Sequence, residues 1–163
     1  MRRILNLPTN SLPGVLRSDM SPGPVILIVE DDLIIADYLE ETLQDAGFEV
    51  CGIARTVSEA IALARRHHPS LGVIDLKLSN GEQGTQVAAA LCEQGAMGIL
   101  YATGNSRHPL LDGAVGDACI SKPYTSERIV AGVRIVAERM AKRALPPVFP
   151  EGFRLLNVGG CGA

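Results

Sequence analysis

Three acids, a hydroxyl and an amine stand at the ends of short apolar runs in this chain. Glu30 and Asp31 follow Val25-Ile26-Leu27-Ile28-Val29, and Asp75 follows Leu71-Gly72-Val73-Ile74. Thr103 follows Ile99-Leu100-Tyr101-Ala102, and Lys122 follows Ala118-Cys119-Ile120-Ser121 and precedes Pro123. These are the residue types that a phosphorylated-aspartate site needs. Phosphoryl transfer asks a protein for positioning and charge neutralisation more than for covalent help. A carboxylate approaching a phosphoryl donor meets like-charge repulsion, which a Mg²⁺ ion held by hard oxygen ligands relieves. Lys122 offers a compact cation to one phosphoryl oxygen, and Thr103 offers a hydroxyl donor to another. Ligands of open parallel sheets bind outside the carboxyl ends of the strands, so the five side chains can converge although they are scattered along the chain.

The elements needed to bring them together can be read from the pattern. From Val25 strands alternate with helices. A helix is expected over Leu33 to Ala46, with Ile35, Leu39, Leu43 and Ala46 on one face and Gly47 past its end; Asp32 reads as its capping acid rather than a ligand. Val50 to Ala54 is the second strand. Thr56-Val57-Ser58-Glu59 is a capping box opening a helix to about His67, blocked by Pro69. Leu71 to Asp75 is the third strand, apolar enough to be buried on both faces. Asn80-Gly81 and Gly84 mark a loop before a helix of about Thr85 to Gln94. Met97 to Tyr101 and Ala118 to Ser121 are further strands. Between them Gly104 to Gly116 has room for a short helix at best. The last helix runs from Ser126 to about Lys142, with Ile129, Val133, Val136 and Met140 as its stripe. This alternation implies a parallel sheet with right-handed crossovers and helices on both faces.

Composition sets outer bounds. A chain of 163 residues is one domain by length, and with 47 % apolar residues it can bury a sizeable core. No apolar run reaches the ~20 residues of a membrane span, and Met1-Arg2-Arg3-Ile4-Leu5 lacks the apolar region of a signal peptide. The net charge of -3 gives no basic face for nucleic acid. Cys51, Cys92, Cys119 and Cys161 form no CxxC pair and read as reduced thiols. Zinc spacing is absent, and His67, His68 and His108 are assigned no chemistry. Residues 1–23 read as an extension rich in breakers, and the stretch beyond Leu145 as a tail whose Phe149, Phe153, Leu155 and Leu156 could fold back onto the domain.

From about Val25 to Lys142 the chain resembles the receiver domain of two-component response regulators. The motifs that carry the resemblance are Val29-Glu30-Asp31-Asp32, Ile74-Asp75-Leu76-Lys77-Leu78, Ala102-Thr103-Gly104 and Ser121-Lys122-Pro123-Tyr124. Tyr101-Ala102-Thr103-Gly104-Asn105 is also similar to the Phe-Ala-Thr-Gly-Tyr motif of the FATGUY subgroup, departing from it at Tyr101 and Asn105. Receivers often carry an aromatic switch residue three positions before the lysine, where this chain has Cys119. The FATGUY subgroup lacks that aromatic too.

The resemblance implies an α/β flavodoxin-like fold: a doubly wound (βα)5 domain over residues 24–143, its five-stranded parallel sheet in the order 2-1-3-4-5, with residues 144–163 as tail. It implies that Asp75 accepts a phosphoryl group from a histidine kinase or histidine phosphotransfer protein, with Thr103 and Lys122 on the phosphoryl oxygens. Mg²⁺, or Mn²⁺ in its place, would be bound directly by Asp31, through water by Glu30, through one carboxylate oxygen of Asp75 and by the backbone carbonyl of Lys77. Lys122-Pro123 would be a cis peptide. Such a chain is no metabolic enzyme and catalyses only its own phosphorylation and dephosphorylation. Family members mostly carry a DNA-binding or enzymatic domain after the receiver, and the roughly twenty residues beyond the last helix are too few for one. The expectation is therefore a single-domain response regulator of the cytoplasm that signals through protein contacts, a homodimer among them, or drains phosphoryl groups from a kinase, with no DNA or membrane contact. The alternative is an interaction module that keeps the pocket without depending on phosphorylation. A haloacid-dehalogenase-type hydrolase wants an Asp-x-Asp pair that neither Glu30-Asp31-Asp32 nor Asp75-Leu76-Lys77 supplies. A dinucleotide-binding domain wants Gly-x-Gly-x-x-Gly after the first strand, which is missing.

Overall fold

The first strand, β1 (Val25–Val29), is apolar throughout, and its side chains divide by parity between the two faces of a sheet. Ile26 and Ile28 enter one cluster, while Leu27 and Val29 enter the other. All four are fully buried, each contributing about 1.5–3 kcal/mol of transfer free energy. The structure is a computed structural model, and it describes residues 23–156 and Cys161. The extension expected at 1–23 lies, but for Gly23, outside the described residues.

Beyond β1 the elements are α1 (Leu33–Asp45), β2 (Glu49–Ala54), α2 (Val57–His67), β3 (Leu71–Asp75), α3 (Gly84–Cys92) and β4 (Gly98–Thr103). A 3-10 turn at Pro109–Leu111, β5 (Ala118–Ser121), α4 (Ser126–Met140) and β6 (Phe153–Leu155) complete the described chain. The sheet order is β2-β1-β3-β4-β5-β6. The first five strands are parallel, as expected for a doubly wound α/β fold. On one face α1 and α4 cover Ile28, Val73, Leu100 and Ile120 with Leu39, Leu43, Ile129 and Val133. On the other, α2 and α3 cover Leu27, Ile74, Ile99 and Tyr101 with Ala60, Ala64, Val87 and Leu91.

Local chemistry sets the helix boundaries. The Asp32 carboxylate accepts from the N–H groups of Ile34 (2.9 Å) and Ile35 (3.3 Å), opening α1 as a capping acid. Thr56 caps α2 by accepting from the Glu59 N–H, whereas the Glu59 carboxylate accepts from the Arg55 N–H rather than that of Thr56. The expected box is therefore closed one residue early. Thr125 caps α4 by accepting from the Arg128 N–H.

Three features depart from the sequence expectation. The fourth crossover holds only the 3-10 turn, so the described chain has four α-helices instead of the five of a full (βα)5 repeat. Pro109, Gly113 and Gly116 leave no stretch long enough for a helix. The Tyr101 hydroxyl fastens this crossover by donating to the Val115 carbonyl at 2.6 Å. Second, the sheet has a sixth strand. In the tail, Phe153, Arg154 and Leu155 pair antiparallel with Ile120, Cys119 and Ala118. Phe153 and Leu156 are buried, one on each face of the sheet. Third, Cys92 at the end of α3 and Cys161 beyond β6 form a disulfide with a Cα–Cα distance of 5.0 Å, so these two are not the reduced thiols expected. Cys51 and Cys119 are free.

Asp117 joins several of these parts. Its buried carboxylate accepts from the Ile99 N–H at 2.9 Å and pairs with Arg139 of α4. Arg139 also donates to the carbonyls of Asp117 and Leu156.

Candidate functional site

Parallel strands of similar register deliver their carboxyl ends to one edge. Glu30 leaves β1 held by its own N–H on the Ala54 carbonyl. The next backbone link beyond Asp75 runs from the Leu76 N–H to the Ala102 carbonyl, and the Lys122 N–H reaches the Thr103 carbonyl at 2.7 Å. The carboxyl groups of Glu30, Asp31 and Asp75 converge, offering one oxygen each with all three within 4.8 Å of one another. Lys122 Nζ lies 2.7 Å from Glu30 Oε2 and 3.2 Å from Asp75 Oδ2. The Lys122-Pro123 bond is cis.

Three carboxylates face one ammonium, leaving this group of four side chains with two uncompensated negative charges. Such a group favours protons and cations. Burial raises the Glu30 carboxyl above its ordinary range; Lys122 pulls against that rise and the charge of Asp75 adds to it. Burial disfavours the Lys122 ammonium, but the bonds and charges of Glu30 and Asp75 outweigh this and raise its pKa, so it stays charged. At Asp31 partial burial opposes the charge. Hydrogen bonds from Ser79 and the charge of Arg55 outweigh it and hold the carboxyl below its usual range.

No sequence motif marks Ser79, yet its N–H donates to Asp31 Oδ2 at 2.9 Å and fixes that carboxylate. In the sequence Gly84 marks only a loop. A Cβ there would lie 2.1 Å from the Asp75 carbonyl oxygen, so α3 reaches the acceptor strand more closely than any side chain allows. Thr103 is buried, and its hydroxyl accepts from the Asn105 N–H (3.1 Å) and donates to the Asn105 carbonyl (3.2 Å). Lys77 has an exposed side chain, and its N–H donates to Asp75 Oδ1 at 3.3 Å. The Tyr124 hydroxyl, kept protonated by burial and by the charges of Glu30 and Asp75, is buried without a hydrogen-bond partner among the described residues.

The donor set suits a hard divalent cation: three carboxylate oxygens within 4.8 Å of one another and no sulfur or imidazole among them. The model for the response regulator receiver domain matches residues 26–134. The chain belongs to that family. Receiver domains are signalling modules of two-component systems, and as a family they bind Mg²⁺ at such an acidic pocket. This receiver is similar to the sensory transduction protein RegX3 of Mycolicibacterium smegmatis, with 31 % identity over 121 residues covering 71 % of this chain and 51 % of that one. It is 27 % identical to the transcriptional regulatory protein PdtaR of Mycobacterium tuberculosis over 117 residues, 70 % of this chain and 57 % of that one. The chain thus spans about half the length of these curated relatives. Among solved structures, the CheY-like receiver domain protein from Methanospirillum hungatei superposes with a TM-score of 0.65 at 27 % identity, covering 73 % of this chain and 97 % of that one.

Proposed function

We propose that this receiver accepts a phosphoryl group on Asp75 from a histidine kinase or histidine phosphotransfer protein and works as a single-domain response regulator of a cytoplasmic phosphorelay, in the manner of the FATGUY subgroup. The observation that carries this reading is the position of Lys122 Nζ between Glu30 and Asp75, with Asp31 alongside. A carboxylate oxygen of Asp75 attacks phosphorus, and the bond from phosphorus to the donor nitrogen breaks, the electron pair leaving with the imidazole. Lys122 meets one phosphoryl oxygen, and Thr103 turns its hydroxyl to another. Glu30, Asp31, Asp75 and the Lys77 carbonyl are the groups that would hold Mg²⁺ or Mn²⁺. When bound, the ion neutralises charge on the phosphoryl oxygens. Water attack on phosphorus later releases phosphate and restores the carboxylate.

Beside the site, α1 exposes Leu33, Ile34 and Tyr38, an apolar face suited to a phosphodonor protein. Signalling then runs through protein contact or through draining the donor. The experiment is incubation with acetyl phosphate and Mg²⁺ followed by intact mass. One added phosphoryl that disappears in Asp75→Ala supports the reading, and no addition to the unaltered chain overturns it. A second reading, an interaction module independent of phosphorylation, is favoured by the 3-10 turn in the fourth crossover and by Cys119 at the usual aromatic position. Uptake by Asp75 without change in any partner's binding would favour it.

A further inference from the structure

Arg154 lies outside the acidic cluster, on β6, and its guanidinium donates twice to one backbone carbonyl. Nη2 is 2.6 Å and Nε 3.2 Å from the Ser106 oxygen. Ser106 belongs to the loop that leaves β4 after Thr103. In that loop the Thr103 hydroxyl is engaged with both the N–H and the carbonyl of Asn105. The thiol of Cys119, register partner of Arg154, points at the same Ser106 carbonyl at 3.6 Å. A continuous series of bonds therefore runs from Thr103 through Asn105 and Ser106 to Arg154 and the tail strand.

We propose that Arg154 is a positioning residue for the pocket: it holds the Thr103 loop in its unmodified arrangement and makes attachment of β6 and phosphorylation of Asp75 oppose one another. The proposal rests on the reading of Asp75 as phosphoacceptor. A threonine hydroxyl has a single proton to donate. In this structure it goes to the Asn105 carbonyl, so Thr103 must release that carbonyl before it can donate to a phosphoryl oxygen. The movement displaces the adjoining Ser106 carbonyl. A rigid planar fork keeps two bonds to one oxygen only over a narrow range of positions. Cys119 is small, which leaves room for Arg154 to reach Ser106 across the sheet edge.

The tail strand is short, with three residues, flanked by bonds from the Ser121 N–H to the Gly152 carbonyl (3.0 Å) and from the Leu156 N–H to the Asp117 carbonyl (2.9 Å), and by the exposed Arg128–Glu151 pair. Buried Phe153 and Leu156, Arg139 on the Leu156 carbonyl and the Cys92–Cys161 bond keep the tail on the domain, so what the pocket can loosen is the pairing of β6 with β5 rather than the tail as a whole. A doubled, charge-assisted bond is a substantial share of what holds three residues in register. Coupling of this kind is reciprocal, so what loosens β6 must favour the modified pocket.

The test uses the full chain with acetyl phosphate and Mg²⁺, following the phosphoryl group on Asp75 by intact mass and the Ser121 and Leu156 amides by hydrogen exchange. Phosphorylation is expected to speed exchange of these amides by about fivefold or more. Arg154→Met keeps the aliphatic stem without the fork. Its amides exchange fast already and do not respond, and it takes up phosphoryl about fivefold faster than the unaltered chain. Arg154→Lys, which keeps one charged donor, falls between the two. Unchanged exchange in the phosphorylated chain overturns the proposal, as does an Arg154→Met variant that exchanges faster but takes up phosphoryl at the original rate, since that is a purely structural role. If the unaltered chain gains no phosphoryl mass, the premise about Asp75 has failed and the proposal falls with it, a result distinct from uptake without coupling.

Discussion

Lys122 Nζ and Glu30 Oε2 lie 2.7 Å apart although 92 positions of sequence separate the two residues. Glu30 is 2 % exposed, the most enclosed acid of the site, and Lys122 is the cation that makes its burial tolerable. The same nitrogen contacts Asp75, so one amine holds two strand ends whose charges repel. A phosphoryl group on Asp75 would offer Lys122 a third claim on its protons.

Replacing Lys122 with alanine leaves Glu30 buried without its cation. Breaking a fully buried pair costs about 3–5 kcal/mol, and the partial exposure of Lys122 reduces the expected loss to about 2 kcal/mol. Urea unfolding with a chelator present measures it. Added Mg²⁺ is expected to restore more stability to Lys122→Ala than it adds to the unaltered chain. A smaller Mg²⁺ effect in the variant would contradict the charge account.

Mg²⁺ is expected to raise the melting temperature of the unaltered chain. An ion that binds only the folded state stabilises it by about 2.7 kcal/mol at one hundred times its dissociation constant. Asp31→Asn, which keeps shape and the Ser79 contact but lowers the charge, loses most of that gain. Full retention of the Mg²⁺ effect in Asp31→Asn would remove Asp31 from the ligand set.

Gly84→Ala forces a methyl group against the Asp75 carbonyl oxygen and the side chain of Ile74. The start of α3 or the end of β3 must move, at about 1–3 kcal/mol. Because the displaced residue is Asp75 itself, phosphoryl uptake should slow in variant protein that remains folded. Unaltered uptake would mean that α3 yields and the acceptor does not.

The clustered acids were legible in the sequence because strand ends are conspicuous: β1 and β3 are unbroken apolar runs that stop at Glu30 and Asp75. Lys122 was legible because Pro123 follows it at the end of such a run. Ser79 was not, since it acts through a backbone N–H that every residue but proline possesses. Strand β6 was hidden for a related reason. Three residues after Pro150 and Gly152 have no periodicity of their own, and their pairing is supplied by the open side of β5. The bond between Cys92 and Cys161, 69 positions apart, depends likewise on where α3 ends and not on any local motif.

Asp117 carries a pH signature. Burial raises its carboxyl above the ordinary value of 3.8, and the Ile99 N–H and Arg139 offset only part of the rise. The folded chain therefore keeps this proton to higher pH than the unfolded chain does. The contribution of Asp117 to stability is whole below the ordinary value and declines as pH climbs through the elevated one. Asparagine has no such titration. The stability of the unaltered chain minus that of Asp117→Asn should fall as pH rises above 3.8, measured by urea unfolding across a pH series. A difference that grows with pH would reverse the assignment.

With β6 seated on β5, the two margins of the sheet are β2, six residues long, and β6, three residues long. A very short edge strand offers an incoming chain few free backbone groups to pair with, one of the ways in which sheet proteins discourage edge-to-edge aggregation. The tail therefore replaces the four-residue rim of β5 with a shorter one that runs the opposite way.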